Sequence, residues 1–336
     1  MSRSELNVGT QKMIRKGYAE GTNENHCSAW KDFVRVCELY GWQSFPASEQ
    51  TLCNYTYHVF ESTSIQGSTM DNRLDGIRAT HVKMGYKLVI KFDAMPQLGL
   101  QRRTFRKERP EKQKEKRALT ADIMEQLLQR LNGAKRDQQM MRALLAFAYG
   151  GMLRVSEYAY GKGTVNKPRV RNITEMSNER LVYQFNHSKT NQTKRAERVV
   201  MCCRCPRICA VHEVAAMLSM RRNKSRGEPL FQMSDGHCPT IEDVNSIVKK
   251  LAAECGIPRE EVSSHGMRAG AITDALAAGI ADSVVQVMSR HKSADSMAPY
   301  KKFTSAMLGG IMQRAYRKEN KRARRARKAR KAKGGY

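Results

Sequence analysis

Apolar residues recur at helical spacing through the first hundred residues of the chain. Trp30, Phe33 and Cys37 form the clearest stripe, because positions three, four and seven apart lie on one face of a helix. Similar stripes follow at residues 52–60 and 68–84, and glycine and proline turn signals separate them. The pattern predicts a small helical domain over residues 1–100.

The pattern is mixed after residue 118, where most segments keep helical spacing but two resemble strands. Residues 181–185 (LVYQF) and 198–201 (RVVM) are short and rich in β-branched or aromatic residues, which predicts a hairpin. The surrounding segments predict helices on either side of it. One of these is a short helix near the C-terminal end, whose predicted buried stripe is Val284, Val285, Val287 and Met288. The expected fold class is mainly α with a small β-hairpin, that is, α+β.

Two strongly basic stretches lack this periodicity. Residues 101–117 hold nine Lys/Arg against three Glu, and Pro110 interrupts any helix there. Residues 314–336 hold twelve Lys/Arg against one Glu, and such a segment buries too little apolar surface to fold alone. The predicted organisation is a helical domain, a basic linker, a second domain and a disordered basic tail, over residues 1–100, 101–117, 118–313 and 314–336.

The charge of the whole chain indicates a polyanionic partner. Sixty Lys+Arg against 32 Asp+Glu give a formal net charge of +28, which favours nucleic acid. An anionic membrane surface is the alternative, but no basic amphipathic helix with large apolar residues stands out. Without a long apolar run or a signal-peptide core, we expect a nuclear location in a eukaryotic host and otherwise a cytoplasmic one.

Several polar residues near the C-terminal end suggest chemistry at a phosphodiester. His265 and Arg268 lie three apart on one predicted helix face, and His291 and Tyr300 follow. A guanidinium matches two non-bridging phosphate oxygens, and a tyrosine hydroxyl can attack phosphorus if a neighbour accepts its proton. Any one of these residues alone would be interpreted as an ordinary solvated side chain. The four together, at these spacings, are a specific signal for phosphodiester chemistry.

The spacing of this set resembles that of the tyrosine recombinases, also called phage integrases. That family has His-x-x-Arg, then a second histidine, then the nucleophilic tyrosine. Here His291 lies 26 positions after His265, and Tyr300 lies nine positions after His291. The stretch GGMLRVSE, which contains Arg154, resembles the first signature box of the family. The N-terminal helical pattern resembles its SAM-like core-binding domain.

The resemblance implies a role for each of these side chains. Arg154 and Arg268 would hold the scissile phosphate. Tyr300 would attack it and form a 3′-phosphotyrosyl link with a free 5′-hydroxyl. His265 would accept the proton of Tyr300, and His291 would donate a hydrogen bond to the phosphate.

Two more roles concern the hairpin and the first signature box. In the family, a lysine on the hairpin protonates the leaving 5′-oxygen. Lys189 is the match, Lys194 is the alternative, and His187 lies close to both in sequence. Glu157 would orient the arginine and histidine side chains, or would simply pair with Arg154.

The expected partner is double-stranded DNA, with a dimer on each site and a tetramer in the synaptic complex. Neither a membrane nor a small-molecule substrate is expected as a partner. No metal or nucleotide cofactor is expected either, because the phosphotyrosine keeps the energy of the broken bond. The basic side chains expected to contact DNA phosphates are Arg102, Arg103, Arg106, Lys107, Arg322, Arg324 and Arg325.

The nine cysteines are odd in number and scattered, apart from one cluster after the second predicted strand. Cys202 and Cys205 form one C-x2-C pair, but Cys203 lies inside it and no second pair follows at zinc-finger distance. We therefore expect reduced thiols and no metal. Zinc is the alternative, with ligands drawn from Cys202, Cys203, Cys205, Cys209, His212, His237 and Cys238.

Two positions depart from the family pattern. Arg290 stands where the family commonly has glycine, and Pro299, which lacks a backbone donor, precedes Tyr300. Whether cleavage occurs in cis or in trans stays open. Tyr316 and Tyr336 lack a histidine at the right spacing and are not expected to be nucleophiles.

Three other functions compete with a recombinase. A type IB topoisomerase uses similar residue types, but the His-x-x-Arg box and the N-terminal helical domain favour a recombinase. A non-catalytic DNA-binding derivative would not need the full set, and a basic RNA-binding protein would not explain the spacings. The basic tail and the cysteines resemble recombinases of mobile elements of the Crypton and DIRS kind, with a phage or viral integrase left open.

Overall fold

The computed structural model describes residues 3–91, 93–110, 116–161, 167–185, 196–205, 207–221, 225–293 and 295–300. The side chains of residue 3 and residues 298–300 lie outside that description. The chain divides into two compact units, Met1–Lys114 and Glu115–Tyr336. None of the helices in the described residues is long and apolar enough to cross a membrane.

The first unit is helical where it is described, which agrees with the spacing of its apolar residues. Phe33 and Cys37 are buried as the stripe predicts, and they pack with Leu52, Tyr55 and Leu74 from the following helices. Met84, which the stripe also places inward, is 53% exposed because the fourth helix has already ended at residue 83. The helices are α1 (Arg3–Lys16), α2 (Glu20–Tyr40), α3 (Glu49–Ser62), α4 (Gly67–Lys83) and α5 (Pro96–Glu108).

The basic segment expected to be a linker from residue 101 instead begins inside α5. Leu98 and Phe105 lie two helical turns apart and are both buried in the core of the first unit. Arg102 and Arg106 lie toward Asp71 of α4 and pair with its carboxylate. The sequence did not predict this helix because it has only two buried apolar residues among many charged ones. The boundary between the two units falls between residues 114 and 115.

The second unit combines helices with one antiparallel sheet of strand order β1-β2-β3. The predicted hairpin is present as β2 (Arg180–Phe185) and β3 (Glu197–Cys202), with Leu181 opposite Met201. Strand β1 (Ile173–Met176) was not predicted, because its side chains are mostly exposed and show no apolar alternation. The helices are α6 (Ala121–Gln129), α7 (Arg136–Gly150), α8 (Val155–Tyr158), α9 (Ala210–Ser219), α10 (Ile241–Glu254), α11 (His265–Ala277) and α12 (Asp282–Ser289), with 3₁₀ turns at Val170–Asn172, Arg259–Glu261 and Asp295–Tyr300.

Helix α7 lies at the centre of this unit, since every residue from Ala143 to Tyr149 is buried. Its Phe147 ring packs edge-on against Tyr183 of β2, with centroids 5.0 Å apart. Its last turn contacts α11, where the Asp274 carboxylate accepts hydrogen bonds from the Tyr149 hydroxyl and from the Ala121 amide, the latter at 2.7 Å. This network joins α6, α7 and α11.

Helix α11 packs unusually close to the segment that precedes α6. A Cβ placed on Gly270 would lie 1.8 Å from the carbonyl oxygen of Leu119, and one on Gly266 would lie 2.8 Å from that of Arg117. The Leu119 amide donates to the Gly266 carbonyl at 2.9 Å. Two glycines one turn apart therefore let the backbone run against the helix that carries His265 and Arg268.

Helix α12 is less buried than its apolar sequence predicts. Val285 is fully buried, but Val284, Val287 and Met288, expected in the same stripe, are 49%, 77% and 45% exposed. The helix has only eight residues, and its buried residues in the described part of the chain are Val285 and Ser289, which lie one turn apart. The prediction that all four apolar residues are buried was therefore wrong for three of them.

Replacing Gly270 with alanine should destabilise the second unit by about 2 kcal/mol or more, because the added Cβ meets backbone. In an unobstructed helix the same change stabilises by up to about 1 kcal/mol. Urea denaturation measures the difference. Gly227→Ala is the control, since its nearest neighbour would be Ser225 Oγ at 4.0 Å. Equal stabilities of the two variants would contradict the close approach.

Candidate active site

Arg154 stands at the N-terminal boundary of the one-turn helix α8, directly after the turn that ends α7. Its own amide donates to Glu157 Oε2 at 2.9 Å, and its guanidinium Nη1 donates to Oε1 of the same carboxylate at 3.0 Å. Its Nη2 donates to the carbonyl oxygen of Arg290 at 3.1 Å. Glu157 is completely buried, and a buried carboxylate needs partners for both of its oxygens. Arg154 supplies a hydrogen bond to each of them.

Arg268 extends from α11 into the same region and is 1% exposed. Its guanidinium donates to the carbonyl oxygens of Met152 and Ser289. Its Nη2 also lies 3.4 Å from Nε2 of His291. The second predicted arginine thus lies between the turn after α7 and the C-terminal end of α12, the two segments that also contact Arg154.

His291 lies two residues after the end of α12, and its ring has a polar contact at each nitrogen. Nδ1 lies 2.7 Å from Ser289 Oγ, whose hydroxyl donates to the Gln286 carbonyl at 3.3 Å. Because Arg268 can only donate, its contact with Nε2 requires the tautomer with the proton on Nδ1. His265 begins α11, one turn before Arg268.

Both imidazoles are neutral at pH 7 because they are buried and lie close to cationic groups. Burial lowers the pKa of His265, and the positive charges of Arg268 and Arg154 lower it further. Burial and the charges of Arg268, Arg154 and Arg290, with a contribution from His265, lower the pKa of His291 to about 4. A neutral imidazole is able to accept a proton, and a site with excess positive charge favours an anion.

Arg290 belongs to this cluster, although sequence reasoning noted it only as a departure from glycine. It has a positive φ of 58°, the left-handed conformation in which a helix end usually has glycine. Its Nη2 donates to Glu157 Oε2 at 2.7 Å and to the Met152 carbonyl at 3.1 Å. The glycine-to-arginine departure was the available signal, but it did not reveal Glu157 as the partner.

The structure therefore brings together five of the predicted residues: Arg154, Glu157, His265, Arg268 and His291. The backbone of Tyr300 ends the 3₁₀ turn Asp295–Tyr300, but its side chain is not described. The hairpin tip with His187, Lys189 and Lys194, and the tail with Arg322, Arg324 and Arg325, lie outside the described residues.

The basic residues of α5 differ in their surroundings. Arg103 and Lys107 are exposed. Arg106 is exposed as well, but it shares the Asp71 carboxylate with the half-buried Arg102 within the first unit. Asp71 therefore offsets part of the positive charge that the sequence places on this segment.

Replacing Arg290 with glycine should destabilise the second unit by about 2 kcal/mol. Loss of one partner from a buried ion pair costs about 3–5 kcal/mol, whereas relief of the left-handed backbone returns about 1–2 kcal/mol. Chemical denaturation measures the balance. Adding Glu157→Gln to Arg290→Gly should not recover the loss, because the neutral amide would leave the Arg154 guanidinium without its anionic partner. If Arg290→Gly alone were as stable as the original protein, relief of the left-handed backbone would offset the whole cost of losing the ion pair.

The chain matches known proteins along most of its length. The model of the phage integrase family matches residues 117–306. An integrase/recombinase xerD homolog of Selenomonas ruminantium is 22% identical over 334 residues, which cover 94% of this chain and 92% of the relative.

Three solved structures have a similar fold at low sequence identity. The Tn1549 transposon integrase in complex with transposon right-end DNA has a TM-score of 0.61 at 15% identity, covering 91% of this chain and 97% of that one. The XerH site-specific recombinase bound to palindromic difH substrate has a TM-score of 0.58 at 12% identity, covering 83% and 74%. A lambda integrase dimer bound to a COC′ core site has a TM-score of 0.56 at 12% identity, covering 90% and 96%.

The matched residues 117–306 are more than half of the chain, and they contain the clustered arginines and histidines as well as Tyr300. The expected fold, an N-terminal helical domain followed by a mainly helical catalytic domain with a small sheet, is confirmed by these structures. The chain therefore belongs to the phage integrase family, the tyrosine recombinases, a class of enzymes that break and rejoin DNA.

Proposed function

We propose that this protein is a site-specific DNA recombinase that cuts and rejoins strands through a covalent 3′-phosphotyrosyl link on Tyr300. The observation that carries the proposal is the convergence of Arg154, Arg268, His265 and His291. These residues come from three separate segments, and burial together with the charges of the arginines lowers the pKa of both histidines. An excess of positive charge around neutral imidazoles suits a phosphodiester and the charge that develops during its cleavage.

The two arginines hold the scissile phosphate. Each has a guanidinium anchored by backbone carbonyls or by Glu157, so its orientation is set before DNA binds. A phosphate next to Arg268 and His291 would bring negative charge to a region where cations dominate. Glu157 and Arg290 are positioning residues, since their contacts are to the arginine and to backbone.

The histidines have different roles in this proposal. His265, neutral at pH 7, accepts the proton of the tyrosine hydroxyl as it attacks. His291 donates a hydrogen bond from Nε2 to a non-bridging oxygen, which requires a proton on that nitrogen. The phosphate charge raises the pKa of His291 and so favours this protonated form.

Tyr300 forms the bond to phosphorus, and the 5′-oxygen leaves with a proton from Lys189, with Lys194 as the alternative donor. The bond energy stays in the phosphotyrosine until a 5′-hydroxyl of a second duplex attacks it and releases the tyrosine. The strands are thereby exchanged rather than hydrolysed. This step needs no metal or nucleotide cofactor at the site.

Double-stranded DNA is the proposed partner, bound by a dimer on each site and a tetramer in the synaptic complex. The similar solved structures support this, since they are integrases and a recombinase in complex with DNA, one of them as a dimer. Arg102, Arg103, Arg106, Lys107 and the basic tail contact phosphates. The similarity to a transposon integrase favours a mobile element as the origin, with a nuclear location in a eukaryotic host and a cytoplasmic one otherwise.

A type IB topoisomerase and a non-catalytic DNA-binding derivative are not favoured. The xerD homolog is named an integrase/recombinase, and the similar structures are integrases and a site-specific recombinase.

Tyr300→Phe should still bind a DNA site but should form no covalent adduct with a suicide substrate that traps the cleaved strand, because the nucleophilic oxygen is gone. Denaturing gel electrophoresis of labelled DNA measures the adduct. Tyr316→Phe is the matched control and should form the adduct at the original level. An adduct with Tyr300→Phe would move the nucleophile to another residue.

His291 should titrate near pH 4 in the free protein and at higher pH when DNA is bound. NMR titration of its ring signal, assigned with His291→Asn, measures both pKa values.

The same shift makes folding stability depend on pH. The folded state takes up the proton on His291 only near pH 4, whereas the unfolded chain takes it up near pH 6.5. Folding stability should therefore fall as the pH drops through this interval, and His291→Asn should lose part of that fall. Titration of free His291 near pH 6.5 would contradict the cationic surroundings.

A further inference from the structure

The loop between β3 and α9 brings three sulfur atoms and one imidazole nitrogen together. Nδ1 of His212 lies 3.7 Å from the sulfur of Cys203, 3.3 Å from that of Cys205 and 3.2 Å from that of Cys209. All four atoms lie within 4.8 Å of one another. Among the described residues, these four side chains form a group whose ligand atoms are close enough together to bind one metal ion.

These distances fit a tetrahedral metal centre. Zinc bonds of about 2.3 Å to sulfur and about 2.0–2.1 Å to nitrogen place tetrahedral ligand atoms roughly 3.6–3.8 Å apart. The measured nitrogen–sulfur distances lie on either side of that value. All described cysteines are free, so the sulfurs gather here without a disulfide to hold them.

The backbone of the two flanking elements places the ligands. Cys203 follows β3 directly, and its amide donates to the Glu179 carbonyl at 2.6 Å. Cys209 is the residue before the first turn of α9, and His212 lies in that turn, three residues later. Residues three apart share a helix face, so the sulfur of Cys209 and the ring of His212 point to the same place.

The C-x2-C spacing of Cys202 and Cys205 does not identify the four clustered residues. Adjacent residues at the end of a strand point to opposite faces, so Cys203 rather than Cys202 turns toward His212. The resulting order is C-x-C-x3-C-x2-H, which has no second C-x2-C pair to identify it.

We propose that Cys203, Cys205, Cys209 and His212 bind a zinc ion. Three thiolates and an imidazole are a ligand set that selects zinc among the common divalent metals. Four protein ligands complete a tetrahedron and leave no position for water or substrate. The site is therefore structural and is separate from the chemistry proposed for the arginines and histidines.

The zinc would tie the end of β3 to the start of α9 where both contact the turn after α7. A Cβ on Gly151 would lie 2.5 Å from Met201 of β3, and one on Gly150 would lie 3.0 Å from Ala210 of α9. The next residue, Met152, accepts hydrogen bonds from Arg268 and Arg290. The metal would thus stabilise the packing of Gly150 and Gly151, which directly precede the Met152 carbonyl that binds Arg268 and Arg290.

Metal analysis of the purified full-length protein tests the proposal. Mass spectrometry of metals should find about one zinc per chain, and Cys205→Ser should retain less than about one tenth of it. Cys205 is exposed, so this change removes a ligand without disturbing the core. Cobalt in place of zinc should give the visible bands of a tetrahedral thiolate site in the original protein and lose them in Cys205→Ser.

Cys202→Ser is the matched control, because Cys202 is exposed and adjacent to the site but is not one of its ligands. It should keep about one zinc per chain and the cobalt bands. Original protein without stoichiometric zinc after growth and refolding with zinc would overturn the proposal. Equal loss of zinc in the two serine variants would overturn it too. Far-UV circular dichroism of Cys205→Ser shows whether the variant is folded, and His212→Asn provides the same test at a second exposed ligand.

Discussion

The site depends on how three guanidinium groups are held close together inside the second unit. Arg154, Arg268 and Arg290 repel one another, and a protein interior screens that repulsion poorly. The buried carboxylate of Glu157 pairs with Arg154 and Arg290, while the carbonyl of Met152 accepts from Arg268 and Arg290. The main-chain carbonyls of Arg290 and Ser289, at the end of α12, accept further hydrogen bonds from Arg154 and Arg268, respectively. Positive charge is thereby concentrated in a small volume, where each of these guanidinium groups donates to more than one acceptor.

This arrangement links segments that are far apart in sequence. The turn after α7 and the end of α12 are separated by more than a hundred residues, and the arginine side chains bridge them. The bridges also set the protonation of the histidines, because the cations lower the pKa of both His265 and His291. A site built in this way has its donors oriented before an anion arrives, which reduces the reorganisation that binding and reaction require.

The close packing around α11 explains why these groups can meet. Gly266 and Gly270 let the segment before α6 run against the helix, and Asp274 then joins α6 to Tyr149 of α7. Arg290 shows the opposite solution, since it keeps a left-handed backbone that glycine would adopt more easily. Its side chain offsets that cost by pairing with Glu157. A backbone position that favours glycine can thus hold a long side chain when a buried partner is available.

Spacing along the chain was enough to predict the family, the helical character and the hairpin, because periodicity and motif spacing do not depend on which elements are neighbours in the fold. The same spacing singled out Arg154, His265, Arg268 and His291 as candidates. It did not show that α5 continues into the basic segment or that most of the α12 stripe is exposed. Nor did it show that Arg290 shares Glu157 with Arg154, or that Cys203 rather than Cys202 faces His212. Each of these depends on which distant element lies opposite a side chain, and spacing along the chain does not contain that information.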